Sequence, residues 1–330
     1  MSGVERKLGT HHKRSHHPIR NATATPVPLL FPFLLPLHDV TALPLNTVGT
    51  SQFQPHPPLS YLLTMPFEIA EKISAYHLIP QTVDVALDPP ESYFFITDFL
   101  IIACGILYTL CYLFYTIRTY SDRYLAGTVQ FLSATMAYEI YYAYVCTTTA
   151  FQRACFFVWF LFDITFAAVA LRYAYAPEER RATIEKMAWQ IPAWMALLWY
   201  AGVLWPDERE QVTAFWTGLY LELPIGWGQI WYLIKRKDTK GQSLEIWITR
   251  YLGCITAFLV FIWRYVNVPE NWSYVNTWPS IGGMVITLLP ETVYPFFYIW
   301  AHENEKARER ARSAAKTIIP IKIEQGETKG

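Results

Sequence analysis

LLPETVYPFFYIW, residues 288–300, places one carboxylate, Glu291, between two prolines in the middle of an apolar segment long enough to cross a bilayer. A charge at mid-bilayer costs about 2.5–3.5 kcal/mol on insertion scales, so such residues normally face the interior of a helix bundle and mark function. Pro290 and Pro295 each remove a backbone donor. They are expected to kink or loosen the helix beside the acid and to free carbonyls that must face a cavity or neighbouring protein.

The rest of the chain fits a membrane reading. Of 330 residues, 53% are hydrophobic, 17% aromatic and only 16% charged, with a mean hydropathy of +0.16, which lies on the membrane side of ordinary globular composition. A scan for about 20 consecutive, mostly apolar residues gives seven spans: 93–116, 125–146, 151–173, 187–205, 212–234, 244–266 and 278–300. Apolar character is continuous over these lengths rather than confined to one stripe, which argues for lipid-facing helices over an amphipathic soluble bundle. The expected fold is therefore an all-α integral membrane protein with seven transmembrane helices. Residues 1–64 differ: they hold HHKRSHHPIR, many prolines and one apolar run, LLFPFLLPL, broken by Pro32 and Pro36 and too short to span a bilayer. They read as a disordered or untranslated extension, with Met65 the expected start. Residues 65–92 form a pre-membrane segment, 93–300 the seven-helix domain and 301–330 a basic tail.

Loop charges orient the bundle. Arg118 and Arg123 follow span 1; Arg172, Arg180, Arg181 and Lys186 follow span 3; Lys235, Arg236, Lys237 and Lys240 follow span 5. Lys306, Arg308, Arg310 and Arg312 follow span 7, whereas the opposite side offers only Arg153 and Arg209. By the positive-inside rule the C-terminus is expected in the cytoplasm and the N-terminus in the lumen. Asn271-Trp272-Ser273 forms a glycosylation sequon on the expected outer side, too close to span 7 for expected use. The formal net charge is zero, so no global basic field points to nucleic acid. Cys104, Cys111, Cys146, Cys155 and Cys254 show no C-x-x-C spacing and read as small buried hydrophobes.

Inside the spans sit Asp98, Glu139, Asp163, Glu222, Arg250, Arg264 and Glu291. Asp98, near a helix end, reads as a cap or a snorkelling group, and the two arginines as partners for a carboxylate or for headgroups. Glu222 is open between a structural partner of either arginine and a functional acid. Glu139 and Glu291 lie deepest, roughly 10 Å and 20 Å from the outer ends of their helices at 1.5 Å per residue, so the two carboxyls are expected to flank one cavity. Their surroundings are aromatic. Tyr142 follows Glu139 by three residues within MAYEIYYAYV, Tyr294 and Tyr298 follow Glu291 by three and seven, and Asp163 follows Trp159 by one turn. An acid ringed by aromatic faces can donate a proton and stabilise the cation that results.

The order and spacing of MAYEIYY, FLFDITF, SLEIWITRYLG, RYVNVPENWSYVNTWPS and LLPETVYPFFYIW resemble the small membrane-integral terpene cyclases of fungal meroterpenoid and indole-diterpene pathways, over residues 93–300. That resemblance implies an enzyme that protonates the terminal epoxide of a prenylated aromatic and cyclises the prenyl chain. It implies Glu139 and Glu291 as catalytic acids, one delivering the proton and the other orienting it. Tyr142, Trp159, Tyr294 and Tyr298, with Asp163, would stabilise substrate and cation. The last-span acid is often Asp in that family, so Glu291 departs from it by one methylene. Neither D-D-x-x-D, N-D-x-x-D nor D-x-D-D occurs, so no metal or other cofactor is expected. The implied partners are the bilayer, the epoxidised small molecule, and an upstream prenyltransferase and epoxidase; the implied location is the endoplasmic reticulum. A competing likeness, carried by ELPIGWGQIWYLIKRKDTKGQSLEIWITRYLG at residues 221–253, is to PQ-loop seven-span solute transporters, although Gly228 stands where that motif has Pro.

Overall fold

The computed structural model describes residues 77–125, 127–147, 149–204 and 212–327, with side chains to residue 315. The expectations for residues 1–64, and for a start at Met65, lie outside the described residues. Among those described there is no strand. The long helices are α1 (Glu91–Asp122), α2 (Val129–Tyr141, continued by a π-helical turn Tyr142–Cys146), α3 (Ala150–Tyr173), α4 (Pro177–Leu204), α5 (Val212–Arg236), α6 (Leu244–Asn267) and α7 (Trp278–Glu327). They fall on the seven expected spans. Five of them, α1, α3, α4, α6 and α7, are long and apolar enough to cross a membrane. Of the other two, α2 has only 13 residues before its π-helical turn, and both bury polar side chains in the bundle: Ser133 and Glu139 of α2, and Thr213, Thr217 and Gln229 of α5. Large apolar side chains such as Phe99, Trp199 and Phe296 point outward, where lipid would solvate them.

Local chemistry sets the helix starts. The hydroxyls of Thr128, Thr149 and Ser243 accept from the backbone N–H three residues on, at 3.3, 3.2 and 3.2 Å, each satisfying a donor that a helix N-terminus leaves free. Along the extensive α1–α6 contact, close approach depends on Gly253: a Cβ there would meet the Tyr108 ring at 2.9 Å. Cys104 and Cys111 donate to the carbonyls of Gly253 and Ile246 at 3.6 and 3.7 Å. All five cysteines are free thiols.

The connections are tied down by buried acids. Asp84, from the segment before α1, accepts from the Tyr93 hydroxyl at 2.5 Å, the Trp272 indole at 2.8 Å and the Asn271 amide at 2.9 Å. The sequon asparagine is thus engaged in joining the pre-membrane segment to the α6–α7 connection. Arg264 lies over the Trp272 ring, 4.6 Å from its centroid. Asp98 accepts from the backbone N–H of Leu78 and pairs with His77, both at 3.1 Å. At the opposite ends of the helices, Glu305 of α7 accepts from the N–H and hydroxyl of Thr239 at 3.1 and 2.9 Å.

Helix α7 runs continuously through Pro290 and Pro295, where the sequence predicts a loosened segment. A proline deprives the carbonyl four residues earlier of its usual donor, here those of Ile286 and Glu291. Two tryptophans replace the missing donors: the Trp227 indole of α5 donates to the Ile286 carbonyl at 3.2 Å, and the Trp247 indole of α6 to the Glu291 carbonyl at 2.7 Å. Substituting Trp247→Phe keeps an aromatic ring and removes that donor. It is expected to cost about 1–3 kcal/mol, the penalty of one unsatisfied buried acceptor, read as a lower melting temperature of the detergent-solubilised protein.

Candidate active site

A cavity of about 60 Å³ lies between α1, α2, α3, α5 and α6. Its wall is largely aromatic. Tyr108, Tyr112 and Tyr115 of α1 stand four and three residues apart and so share one helix face; Phe131, Phe166 and Tyr232 come from α2, α3 and α5. Three ionisable side chains reach the same wall: Asp163 of α3, Glu222 of α5 and Arg250 of α6.

Arg250 organises one side. Its Nε and Nη2 donate to the two carboxylate oxygens of Glu291 at 3.0 and 2.9 Å, and both side chains are 2% exposed. Nη1 donates to the Tyr115 hydroxyl at 2.6 Å, which also takes a hydrogen bond from the Gln229 amide. All three guanidinium nitrogens are thereby engaged. The approach of α5 to this pair requires Gly226, because a Cβ there would lie 2.9 Å from the Glu291 carboxylate and 3.1 Å from Pro290. Glu291 itself stands behind Arg250 and does not line the cavity.

Glu139 occupies the other side. It is 1% exposed, one layer behind the wall, with Asp163 and Tyr112 within interaction range of its carboxyl. Neither of its oxygens has a partner in good hydrogen-bond geometry. Asp163 faces the cavity and accepts from the Thr135 hydroxyl at 2.6 Å. The two acids singled out from sequence therefore stand apart, each behind a different wall residue: Glu139 behind Asp163, Glu291 behind Arg250.

The four aromatics named from sequence also sit outside the wall. Tyr142 hydrogen-bonds Thr217 at 2.7 Å and packs on Tyr138, with ring centroids 4.3 Å apart. Trp159 donates to Thr109 at 2.9 Å and meets the Tyr108 ring edge-on at 6.5 Å. Tyr294 donates to Gln242 at 2.7 Å and stacks on Trp247, while Tyr298 packs on Tyr294 at 6.0 Å. Trp159 thus backs the Tyr108 ring of the wall, while Tyr142, Tyr294 and Tyr298 pack in clusters that contain no lining residue. The lining tyrosines of α1 were overlooked because span 1 holds no acid at its middle, yet their signal is plain in YTLCYLFY, residues 108–115, as a helical stripe.

The model for the Pyr4-like transmembrane terpene cyclases matches residues 83–304, a stretch that takes in every residue of the cavity wall. The chain belongs to this family of membrane terpene cyclases. Among its relatives, the Pyr4-family terpene cyclase mfmH of Annulohypoxylon moriforme is 28% identical over 242 residues, covering 71% of this chain and 98% of that protein. The terpene cyclase macJ of Penicillium terrestre is 27% identical over 210 residues, covering 61% and 80%. Asnovolin H synthase nvfL of Aspergillus novofumigatus is 23% identical over 237 residues, covering 69% and 96%. No solved structure matches the chain. The family is the one that its motifs resemble, and the match leaves the transporter reading without support.

The Arg250–Glu291 pair makes a direct prediction. Arg250→Met strands a buried carboxylate and should destabilise by about 3–5 kcal/mol, whereas pairing it with Glu291→Leu removes both charges and should recover most of that loss. Melting of the two variants in detergent checks this; equal losses in the single and double variants would show that the pair is not the source.

Proposed function

We propose that this cyclase protonates the terminal epoxide of a prenylated aromatic intermediate and cyclises the prenyl chain in its aromatic cavity. The observation that carries this reading is the placement of the Glu139–Asp163 carboxyl pair against a wall of tyrosine and phenylalanine rings. Two carboxyls side by side in a low-dielectric site repel as anions, so the pair keeps a proton to give. Glu139 supplies that proton and Asp163, at the wall, hands it to the epoxide oxygen. Glu291 acts at one remove: its carboxylate is bound twice by Arg250, and it sets the position of that guanidinium on the wall. As the C–O bond breaks, positive charge develops on carbon, and Tyr108, Tyr112, Tyr115, Phe131 and Phe166 face it. Trp159 backs the Tyr108 ring from the layer behind. The step as proposed needs neither metal nor other cofactor.

At about 60 Å³ the cavity admits a few waters. A bound prenyl chain needs a pocket nearer the roughly 300–1,000 Å³ of ordinary ligand sites, so binding displaces side chains along the wall. The arrangement in the cell follows from the same reading: all seven long helices cross the bilayer, with the N-terminus lumenal and the C-terminus cytoplasmic. The enzyme resides in the endoplasmic reticulum and takes its substrate from a prenyltransferase and an epoxidase acting upstream.

Microsomes carrying the chain, supplied with epoxy-farnesyl aromatic substrates, test the proposal. Wild type is expected to form a cyclised product, and Glu139→Gln to lose about 100-fold or more of that activity at matched protein level, the usual weight of a general acid. Glu291→Gln should also lose activity, by releasing Arg250. Full turnover by Glu139→Gln would sink the acid assignment, and inertness of wild type toward a broad panel of epoxides would sink the substrate class.

A further inference from the structure

The cavity wall holds a second carboxylate that the initiating step leaves unused. Glu222 of α5 and Asp163 of α3 both line the cavity, while α3 and α5 themselves barely touch. The two acids therefore reach the cavity from separate helices. Sequence reasoning leaves Glu222 open between a structural partner of Arg250 or Arg264 and a functional group, and neither pairing is found. Arg250 is committed to Glu291 and Tyr115 through all its nitrogens, and Arg264 lies over Trp272. The near neighbours of Glu222 are the Cys254 thiol, 3.9 Å from its Oε2, and the Tyr108 hydroxyl, within interaction range of its carboxyl and 3.2 Å from the thiol. A thiol is a weak donor, so this carboxylate keeps lone pairs available toward the cavity.

The proton balance of the proposed reaction calls for such a group. Protonation of the epoxide oxygen breaks a C–O bond, leaves a hydroxyl and passes positive charge to carbon; ring closures then move that charge along the chain. Quenching releases one proton. Either a C–H bond beside the cation breaks and its electron pair forms an alkene, or a hydroxyl oxygen adds to the cation and its O–H bond breaks. One proton enters and one leaves, so the net change is an isomerisation that needs no oxidant or reductant. The group that has just donated stands at the starting end of the chain. The final cation arises elsewhere, among the rings between the two walls.

We infer that Glu222 is the terminating base, taking the proton released when the cyclised cation is quenched. This rests on the cyclisation reading above and adds to it a second acid with the opposite task. Tyr112 lies within electrostatic reach of Glu139, Asp163 and Glu222.

The test compares wild type, Glu222→Gln, Glu222→Asp and Glu139→Gln in microsomes, following both consumption of an epoxy-farnesyl aromatic and the identity of its products by mass spectrometry. Elution of each solubilised protein reports folding. Glu222→Gln is expected to consume epoxide within about tenfold of wild type while the wild-type product gives way to water-trapped or incompletely cyclised alcohols; Glu139→Gln loses consumption itself, by about 100-fold or more. Glu222→Asp keeps a base set back by one methylene and should shift the product ratio partway, which preserves the test if the Gln variant does not fold. An unchanged product ratio in the folded variants would overturn the assignment, as would a folded Glu222→Gln enzyme that no longer consumes epoxide, since Glu222 would then belong to initiation. Failure of wild type to consume any epoxide would instead strike the underlying reading of the substrate.

Discussion

The buried ion pair between Arg250 and Glu291 is the constraint around which the rest of the helical core is arranged. Bringing two charges out of water costs several kcal/mol each, and their attraction offsets this only when geometry is good and the remaining donors and acceptors are filled. Here two guanidinium nitrogens meet two carboxylate oxygens, and the third nitrogen meets Tyr115. Each of these bonds fixes a helix. Arg250 binds α6 to α7 through Glu291 and to α1 through Tyr115, while Gln229 brings α5 to the same hydroxyl. Gly226 is the steric counterpart, since α5 reaches the pair only where a side chain is missing.

The same accounting explains the prolines that flank Glu291. In hydrocarbon a backbone carbonyl without a donor has no water to turn to, and Pro290 and Pro295 create two such carbonyls within a single span. Both are answered by indole N–H groups from neighbouring helices. Trp247 has a double duty here: its N–H satisfies the carbonyl of Glu291 while its ring stacks on Tyr294, whose hydroxyl is in turn held by Gln242 at the start of α6. The segment that looks weakest in sequence is thereby among the most cross-linked in space. The partner each one meets, not chemical type alone, then separates the acids: Glu291 is locked to a cation, whereas Glu139 has a second carboxyl for a neighbour.

Much of the fold was legible in the sequence because hydrophobic length is a one-dimensional property. The expected spans at 151–173, 212–234 and 244–266 differ from α3, α5 and α6 by two residues or fewer at their ends. The burial of Glu139, Asp163 and Glu291 followed equally directly from the cost of charge in lipid. What the sequence did not disclose was pairing, which depends on how helices rotate against one another. Arg250 and Glu291 lie forty-one residues apart, and nothing in either segment names the other. The aromatic wall was missed for a related reason: searching around the acids by helical spacing finds residues on the same helix as the acid, while a cavity is lined by its neighbours. Asp84 shows the limit most clearly. It lies outside every expected span, where the cost of charge in lipid says nothing, yet three donors converge on it, one from Tyr93 and two from the α6–α7 connection.

The methylene by which Glu291 exceeds an aspartate becomes intelligible through this geometry. The backbone at residue 291 is already committed, because its carbonyl is the one released by Pro295 and held by Trp247. The side chain must therefore reach Arg250 from a fixed base. A carboxylate one methylene longer spans to the guanidinium and presents both oxygens to it, whereas a shorter one would stop about a bond length short unless α6 moved inward. On its other contact α6 packs against α1, where Gly253 leaves room for the Tyr108 ring that a Cβ would fill. Tyr108 belongs to the cavity wall, so α6 bears on the cavity twice, through Arg250 and through the ring that Gly253 admits. Glu291, which does not itself line the cavity, thereby takes part in shaping it by fixing the place of Arg250 on its wall.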